Sequence, residues 1–327
     1  MKEDLIKKLK TAGLLSKQDI DLGNVCTGSF ALNKIISGSY NKGIPIGAIT
    51  QFHGESSTAK TVFATHILRE AQSKGYYTIL IDSENAFNAK FSTKLGLDPE
   101  KLVYAAPETL EDCFQVIYDT IMEIRESDKT TPIVIAYDSL AVSPSKAEYD
   151  DKTFEGNNMI GAIRAKATGA CLRKLNPLLR QQKVALIIIN QIRNKVGVMY
   201  GSPDTIAAGG KSLEYYLGVN LKTISNKTSD LLKNDNGTVI GIKGTVRNTK
   251  NKTTVPFQEC MFELVYNEGL SPYVGLLEMM VKDGIIEQNG AWYAYKEKKF
   301  QNKTFVGFLC DESVTELEDL RLMLKDG

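Results

Sequence analysis

Residues 54–61 read Gly54-Glu55-Ser56-Ser57-Thr58-Ala59-Lys60-Thr61. An apolar run, residues 46–52, precedes them and predicts a strand, and residues 62–71 follow with the spacing of a helix. Strand, glycine-started loop, Lys-Thr and helix is the order of a phosphate-binding loop. Backbone N–H groups and the positive end of the helix dipole there cradle a triphosphate. Lys60 would reach the β and γ phosphates, and the Thr61 hydroxyl would ligate Mg²⁺. One position departs from the pattern, because Ala59 stands where G-x-x-x-x-G-K-[ST] has its second glycine. The octet alone leaves another reading open, a Gly/Ser/Thr-rich surface loop that binds nothing.

The chain has 327 residues, 43% hydrophobic and 24% charged. That is a globular composition with room for one large α/β domain and a smaller one. No apolar stretch approaches the ~20 residues that cross a bilayer. The start, Met1-Lys2-Glu3-Asp4-Leu5, lacks the apolar core of a signal peptide. The expectation is a cytoplasmic protein with no membrane partner. Cys26, Cys113, Cys171, Cys260 and Cys310 are scattered, and the histidines are His53 and His66. That set excludes a zinc site and predicts reduced, structural thiols. A net charge of +1 does not advertise a nucleic-acid binder, so any such site must be a local basic stripe.

Outward from the loop, residues 77–82 and 132–138 are apolar runs that end in an acid, and residues 184–191 form a third that ends in an amide. Near-continuous apolar strands separated by helical segments predict an α/β fold with a mainly parallel central sheet flanked by helices. Polar groups at the ends of such strands line the ligand crevice. Residues 218–266, with Asn236-Gly237 as a turn, read as antiparallel strands added to the sheet. Three units follow: an N-terminal helical arm over 1–24, a core over 25–270, and a small C-terminal α+β domain over 271–327. Within the last, residues 275–281 read as a helix and those around Trp292-Tyr293-Ala294-Tyr295 as a hairpin.

The strand ends carry usable chemistry. Asp138-Ser139 closes one run, and the Asp138 carboxylate is placed to hold the Mg²⁺ shell beside Thr61. Asp82 and Glu84 close another, and Glu84 is the candidate base for an attacking water. Taken singly, each acid also fits a capped turn or a surface ion pair. Gln191 opens a glycine-rich, cationic segment, residues 192–210, with Arg193, Lys195, Met199, Tyr200, Gly209 and Gly210. Cations that track phosphates, mixed with an aromatic or methionine wedge, suit single-stranded nucleic acid. An amide at the root of that segment can sense a γ-phosphate. An active-site lid with no DNA role is the other reading. Residues 157–173 form a weaker candidate, in which Arg164, Lys166 and Arg173 are expected to share one side of a helix.

These residues resemble the RecA recombinases. Residues 189–203 look like the second DNA-binding loop of the bacterial family. The likeness extends through Thr27-Gly28-Ser29, the phosphate loop, Ile81-Asp82-Ser83-Glu84, Asp138-Ser139, Lys250-Asn251-Lys252 and Gly290-Ala291-Trp292-Tyr293. Ser271-Pro272-Tyr273 and the irregular phosphate loop are more similar to the phage UvsX-type branch. The resemblance implies a RecA-like ATPase core in which Glu84 is the catalytic glutamate and Gln191 the γ-phosphate sensor. It places Asn88 and Phe91 at the adenine and ribose, and Tyr266 at a further ring contact. Lys250 and Lys252 match lysines that reach the neighbouring subunit's ATP. Arg173, with Arg164 or Lys166, matches the first DNA loop, and Met199 and Tyr200 match the wedge between base triplets. The N-terminal helix matches the arm that packs on the adjacent subunit. Lys298, Lys299 and Lys303 fall near a duplex-binding surface.

Two departures stand beside Ala59. Ile224 and Ser225 occupy positions where bacterial relatives carry a basic pair for the second DNA strand, leaving Lys222 and Arg247 as replacements. The chain ends at Gly327 without an acidic tail, so autoinhibition by such a tail is not expected. The Ala59 methyl is expected to be tolerated if that position has helical φ/ψ, since only φ > 0 strongly requires glycine. The reading is an ATP- and single-stranded-DNA-dependent recombinase that forms helical filaments and drives homologous pairing and strand exchange. Its expected cofactors are ATP and Mg²⁺. Its expected partners are single- and double-stranded DNA, further copies of itself, and single-strand-binding and mediator proteins. A hexameric helicase-like motor and a nucleotide-gated, non-catalytic DNA scaffold remain as alternatives.

Overall fold

The β-branched, apolar runs form strands because their side chains fill both faces of a buried sheet. The computed structural model describes residues 21–151, 159–194, 205–207, 210–226 and 228–325, with Asp4 and Lys8 in addition. In chain order the strands are β1 (Asn24–Val25), β2 (Ile44–Pro45), β3 (Ile49–Gly54), β4 (Tyr77–Asp82), β5 (Leu102–Ala105), β6 (Ile133–Asp138) and β7 (Val184–Asn194). After these come β8 (Thr205–Ala207), β9 (Leu217–Ile224), β10 (Leu231–Lys233), β11 (Val239–Asn251), β12 (Glu259–Val265) and β13 (Gly269–Leu270). The main sheet runs β13-β12-β11-β9-β3-β7-β6-β4-β5, with β8 on β7 and β10 on β11.

From β9 to β5 the neighbours are parallel, and beyond β9 they are antiparallel. The segment expected to be antiparallel is therefore mixed, because β9 pairs parallel to β3 on one side and antiparallel to β11 on the other. Register aligns the chemistry. Asp82 lies opposite Asp138, and Gly54 lies opposite Gln191. All four groups reach the same edge of the sheet. β3 starts later than the apolar run predicts, because Gly47 turns the chain with φ 84 before the strand begins.

One face of the sheet is covered by helices Phe30–Ser37, Lys60–Ser73 and Leu276–Lys282. Phe63 from the second of these stacks on Phe52 at 5.3 Å and meets Phe262 edge-on at 5.1 Å. Fully burying such a side chain contributes about 1.5–3 kcal/mol. Helices Leu110–Ser127 and Ile160–Gln181 cover the other face through Phe114, Ile117, Leu172 and Leu175. Strands β14 (Glu287–Asn289), β15 (Trp292–Tyr295) and β16 (Lys298–Gln301) form the expected hairpin and one strand more. Leu276, Met280, Phe300 and Phe305 join the same buried cluster as Phe63, so the C-terminal segment packs on the core. The arm over 1–24 lies outside the described residues except for Asp4, Lys8 and residues 21–24. No described helix is long and apolar enough to cross a membrane.

His66 ties the phosphate-loop helix to β13. Its Nε2 accepts from the Leu270 N–H at 3.2 Å, and burial, aided by Arg69, pushes the imidazole down to about 3. Burial likewise holds His53 down at about 4. Both rings are neutral in the fold and charge more readily when unfolded. The unfolded chain therefore binds more protons below pH about 6.5, and stability falls as pH drops from there toward 4. The expected profile of Tm against pH declines in that window. His66→Gln should flatten it, and a His66→Gln slope equal to the parent's would show that His66 does not supply it.

Candidate active site

The loop leaves β3 at Gly54, where strand β9 comes too close for any side chain. A Cβ at Gly54 would lie 2.3 Å from Thr223 Oγ1 and 2.5 Å from the Thr223 carbonyl oxygen. Ser57 and Ala59 both adopt φ 65, which curls the backbone so that the next helix starts at Lys60. Ala59 gives that helix no side-chain cap. Its first-turn N–H groups are then available to an anion. Lys60 is buried and folds back, donating to the Glu55 carbonyl at 2.5 Å and to Thr58 Oγ1 at 3.4 Å.

The condition for tolerating the Ala59 methyl, helical φ/ψ, is not met, since its backbone is left-handed (φ 65, ψ 12). A non-glycine residue there costs about 1–2 kcal/mol. The buried methyl contributes about 0.8 kcal/mol, which offsets only part of that strain, so Ala59 stands as a strained position of the loop.

The strand ends converge beside the loop. Thr61 Oγ1 donates to Asp138 Oδ2 at 2.6 Å. Glu84 Oε1 accepts from Ser139 Oγ at 2.7 Å and from Gln191 Nε2 at 3.2 Å. Glu84, Ser139 and Gln191, from the ends of three strands, form one hydrogen-bonded set. Burial, reinforced by the Glu84 and Asp82 carboxylates and opposed by the Thr61 hydroxyl and Lys60, pushes Asp138 up to about 6. A hydroxyl and a buried carboxylate set beside two further carboxylates are hard oxygen donors of the kind that suit a divalent cation. No cluster of three or more His, Cys, Asp or Glu side chains competes for a metal among the described residues.

Asp82 organises the loop that carries Glu84. Its carboxylate accepts from the N–H groups of Glu84 (3.1 Å), Ala86 (3.0 Å) and Phe87 (2.9 Å), and from the Tyr104 hydroxyl at 3.1 Å. A cleft beside Thr61 and Asp138 is lined by Leu68, Leu80, Phe87, Asn88 and Phe91. Asn88 also caps helix Ala89–Lys94 by accepting from Phe91 N. Tyr266 does not line this cleft and is 40% exposed at the end of β12. Lys250 and Lys252 are also elsewhere. At the end of β11 and just beyond it they donate to the carbonyls of Glu214 and Tyr215. Tyr104 had no signal in the sequence, because a tyrosine on a half-exposed edge strand looks like surface until the register brings it to Asp82.

The RecA N-terminal domain family matches residues 6–271 of this chain. The chain belongs to the RecA family. Proteins named RecA from three bacteria are similar along most of their length. The Chlorobaculum tepidum protein is 33% identical over 303 residues, 92% of this chain and 83% of that one. The Aquifex aeolicus protein is 34% identical over 286 residues, 88% and 78% respectively. The Heliobacterium modesticaldum protein is 35% identical over 270 residues, 83% and 73%. As a RecA-family member the chain is an ATP-binding, DNA-dependent ATPase and recombinase of DNA recombination and repair, which binds DNA and assembles with copies of itself.

The helix that follows the second expected DNA segment packs through small residues on the helix that carries the first. Helix Gly210–Tyr216 lies on helix Ile160–Gln181. A Cβ at Gly169 would come 3.2 Å from Ser212 Cβ, and one at Gly210 3.3 Å from Ala165 Cβ. Lys166 and Arg173, seven residues apart, share an exposed face. Arg164 does not share it. A helix advances about 100° per residue, so Arg164 points inward, donating to Glu148 at 2.7 Å and to the Ala141 carbonyl at 3.1 Å. Arg247 is paired with Glu259 at 2.8 Å across β11 and β12. Ile224 is 39% exposed, and Ser225 donates to the Lys243 carbonyl. Lys298 lies over the Phe308 ring at 4.9 Å, with Lys299 and Lys303 exposed nearby. Lys195, Met199, Tyr200 and Gly209, like the side chain of Arg193, lie outside the described residues.

Removing the Ser139 hydroxyl frees one anchor of Glu84. A hydrogen bond to a charged group contributes about 1.5–3 kcal/mol, and tenfold in rate is about 1.4. Ser139→Ala should therefore lower kcat about tenfold or more while KM for ATP stays within twofold. A parental kcat in steady-state hydrolysis assays would remove Ser139 from the site.

Proposed function

We propose that hydrolysis in this recombinase runs through Glu84 as the base for the attacking water, with Gln191 reporting the γ-phosphate to the DNA-binding segment. The observation that carries this reading is the contact of Gln191 Nε2 with Glu84 Oε1 at 3.2 Å. One carboxylate thus bonds both to the residue rooted beside the DNA segment and to Ser139, next to the Thr61–Asp138 pair. The backbone N–H groups of residues 54–61 and the Lys60 ammonium hold the phosphates. Thr61 directly, and Asp138 through water, would hold Mg²⁺, whose charge neutralises the β and γ phosphate oxygens. Asn88 and Phe91 take the nucleoside in the apolar cleft, with Tyr266 as an outer ring contact. A γ-phosphate competing for the Gln191 amide would pull it from Glu84, free the carboxylate and tug on the segment beyond β7.

The location of Lys250 and Lys252 away from this cleft supports a role across a subunit interface, where they reach a neighbour's ATP. Head-to-tail copies of one such interface build an open helical filament. Lys166, Arg173, Arg193, Lys195, Met199, Tyr200, Gly209 and Gly210 form its DNA-facing lining, with Arg164 as the brace that fixes the first segment. Single-stranded DNA runs along that lining and duplex DNA is brought to it. In this reading residues 1–24 are the arm, 25–270 the motor, and 271–327 the duplex-facing domain.

Two experiments test these roles. Glu84→Gln should lower turnover at least a hundredfold, yet still form ATP-dependent filaments on single-stranded DNA by electron microscopy. Loss of that binding would give Glu84 a different job. Lys250→Ala should be inactive alone but recover activity when mixed with Glu84→Gln, since about one interface in four then pairs the intact residues. Failure of the mixture to exceed either variant would place the lysines outside the shared site.

A further inference from the structure

The phosphate loop of this chain makes its two left-handed turns without glycine, at Ser57 and Ala59. Between them Thr58 is 1% exposed, and its hydroxyl meets that of Thr223 at 2.7 Å. Thr223 is equally buried, at 2% exposed, and comes from β9, the strand paired with β3 on the side away from β7. The hydroxyl protons can be assigned. Thr58 donates to the Glu55 carbonyl at 2.9 Å, which leaves its oxygen free to accept from Thr223. The alternative acceptor for Thr223, the His53 carbonyl, is farther away at 3.3 Å. The chain from Thr223 through Thr58 to Glu55 therefore pins the loop at its middle and at its shoulder. Close packing of Gly54 against Thr223 sets the distance.

We propose that Thr223 is a positioning residue of the ATP site, holding a glycine-poor phosphate loop in its phosphate-accepting shape through the Thr58 hydroxyl. Lys60 also donates to the Glu55 carbonyl, and it must leave that carbonyl to reach a phosphate. Once it has left, the bond from Thr58 remains to hold the carbonyl, and Thr223 supplies the donor that lets Thr58 point there. The residue touches neither nucleotide nor metal. It acts on affinity through the loop, whereas the Glu84, Ser139 and Gln191 set acts on the chemical step. This inference rests on the loop being the ATP site.

The test is a pair of isosteric and conservative variants in the full chain. Thr223→Val keeps the β-branched shape and removes the hydroxyl, and Thr223→Ser keeps the hydroxyl. Equilibrium binding of a fluorescent ATP analogue with Mg²⁺, and steady-state hydrolysis with saturating single-stranded DNA, are measured for both. A hydrogen bond of ordinary net strength corresponds to roughly fivefold to tenfold in affinity. Thr223→Val should raise Kd and KM by that factor with kcat within twofold, and Thr223→Ser should restore both. Thr58→Val combined with Thr223→Val should lose no more affinity than the worse single variant, because the two side chains act as one unit. Parental affinity in Thr223→Val, failure of serine to rescue, or full additivity with Thr58→Val would each overturn the proposal. If Thr223→Val does not fold, Thr223→Ala carries the same expectations. Absence of analogue binding by the parent chain would instead refute the ATP site itself.

Discussion

The structure depends on one constraint, that register between parallel strands carries residues far apart in sequence to one end of the sheet. β3, β7, β6 and β4 are neighbours in that order, so Gly54, Gln191, Asp138 and Asp82 lie together where the parallel pairing of these strands stops. None of these residues is near another in sequence. Backbone hydrogen bonding brings them within reach, and the apolar helices on both faces make that register costly to shift. A slip of one residue would turn every buried side chain of a strand to the opposite face. The catalytic arrangement is therefore protected by the same energy that holds the core.

Within this frame the site is kept electrostatically incomplete. A carboxylate at Asp138 is buried next to two others, and the Thr61 hydroxyl only partly compensates it. The helix that starts at Lys60 without a side-chain cap, and a Lys60 ammonium held by the loop's own Glu55 carbonyl, bring positive charge to the same site. A nucleotide carrying a divalent cation answers both needs at once. Such a site disfavours the empty state and favours the loaded one, which is how binding free energy is directed into a motor's cycle rather than into resting stability.

Much of this arrangement was legible in the chain because it rests on local patterns. The apolar runs, the Lys60-Thr61 pair and the acids at the ends of β4 and β6 are contiguous signals, and each marks its own strand or loop. What could not be read was anything set by register or by helical phase. Thr223 and Tyr104 are ordinary strand residues until pairing places them under the phosphate loop and beside Asp82. Arg164 looked like a partner for Lys166 and Arg173, yet its angular position turns it toward Glu148. Whether Ala59 is strained turns on its backbone angles, which residue type alone does not reveal and which are left-handed.

The packing of helix Gly210–Tyr216 on helix Ile160–Gln181 has a consequence for how the protein tolerates change. Gly169 and Ala165 touch neither the phosphate loop nor the acids, and they sit in a helix whose exposed face would accept many residues. Yet a methyl group at Gly169 would press on Ser212 at 3.2 Å, and a bulkier group would lever the two helices apart. These positions act as spacers that lock two surface segments into one body. The size of the side chain there sets how closely the two helices approach, though no chemistry passes through them.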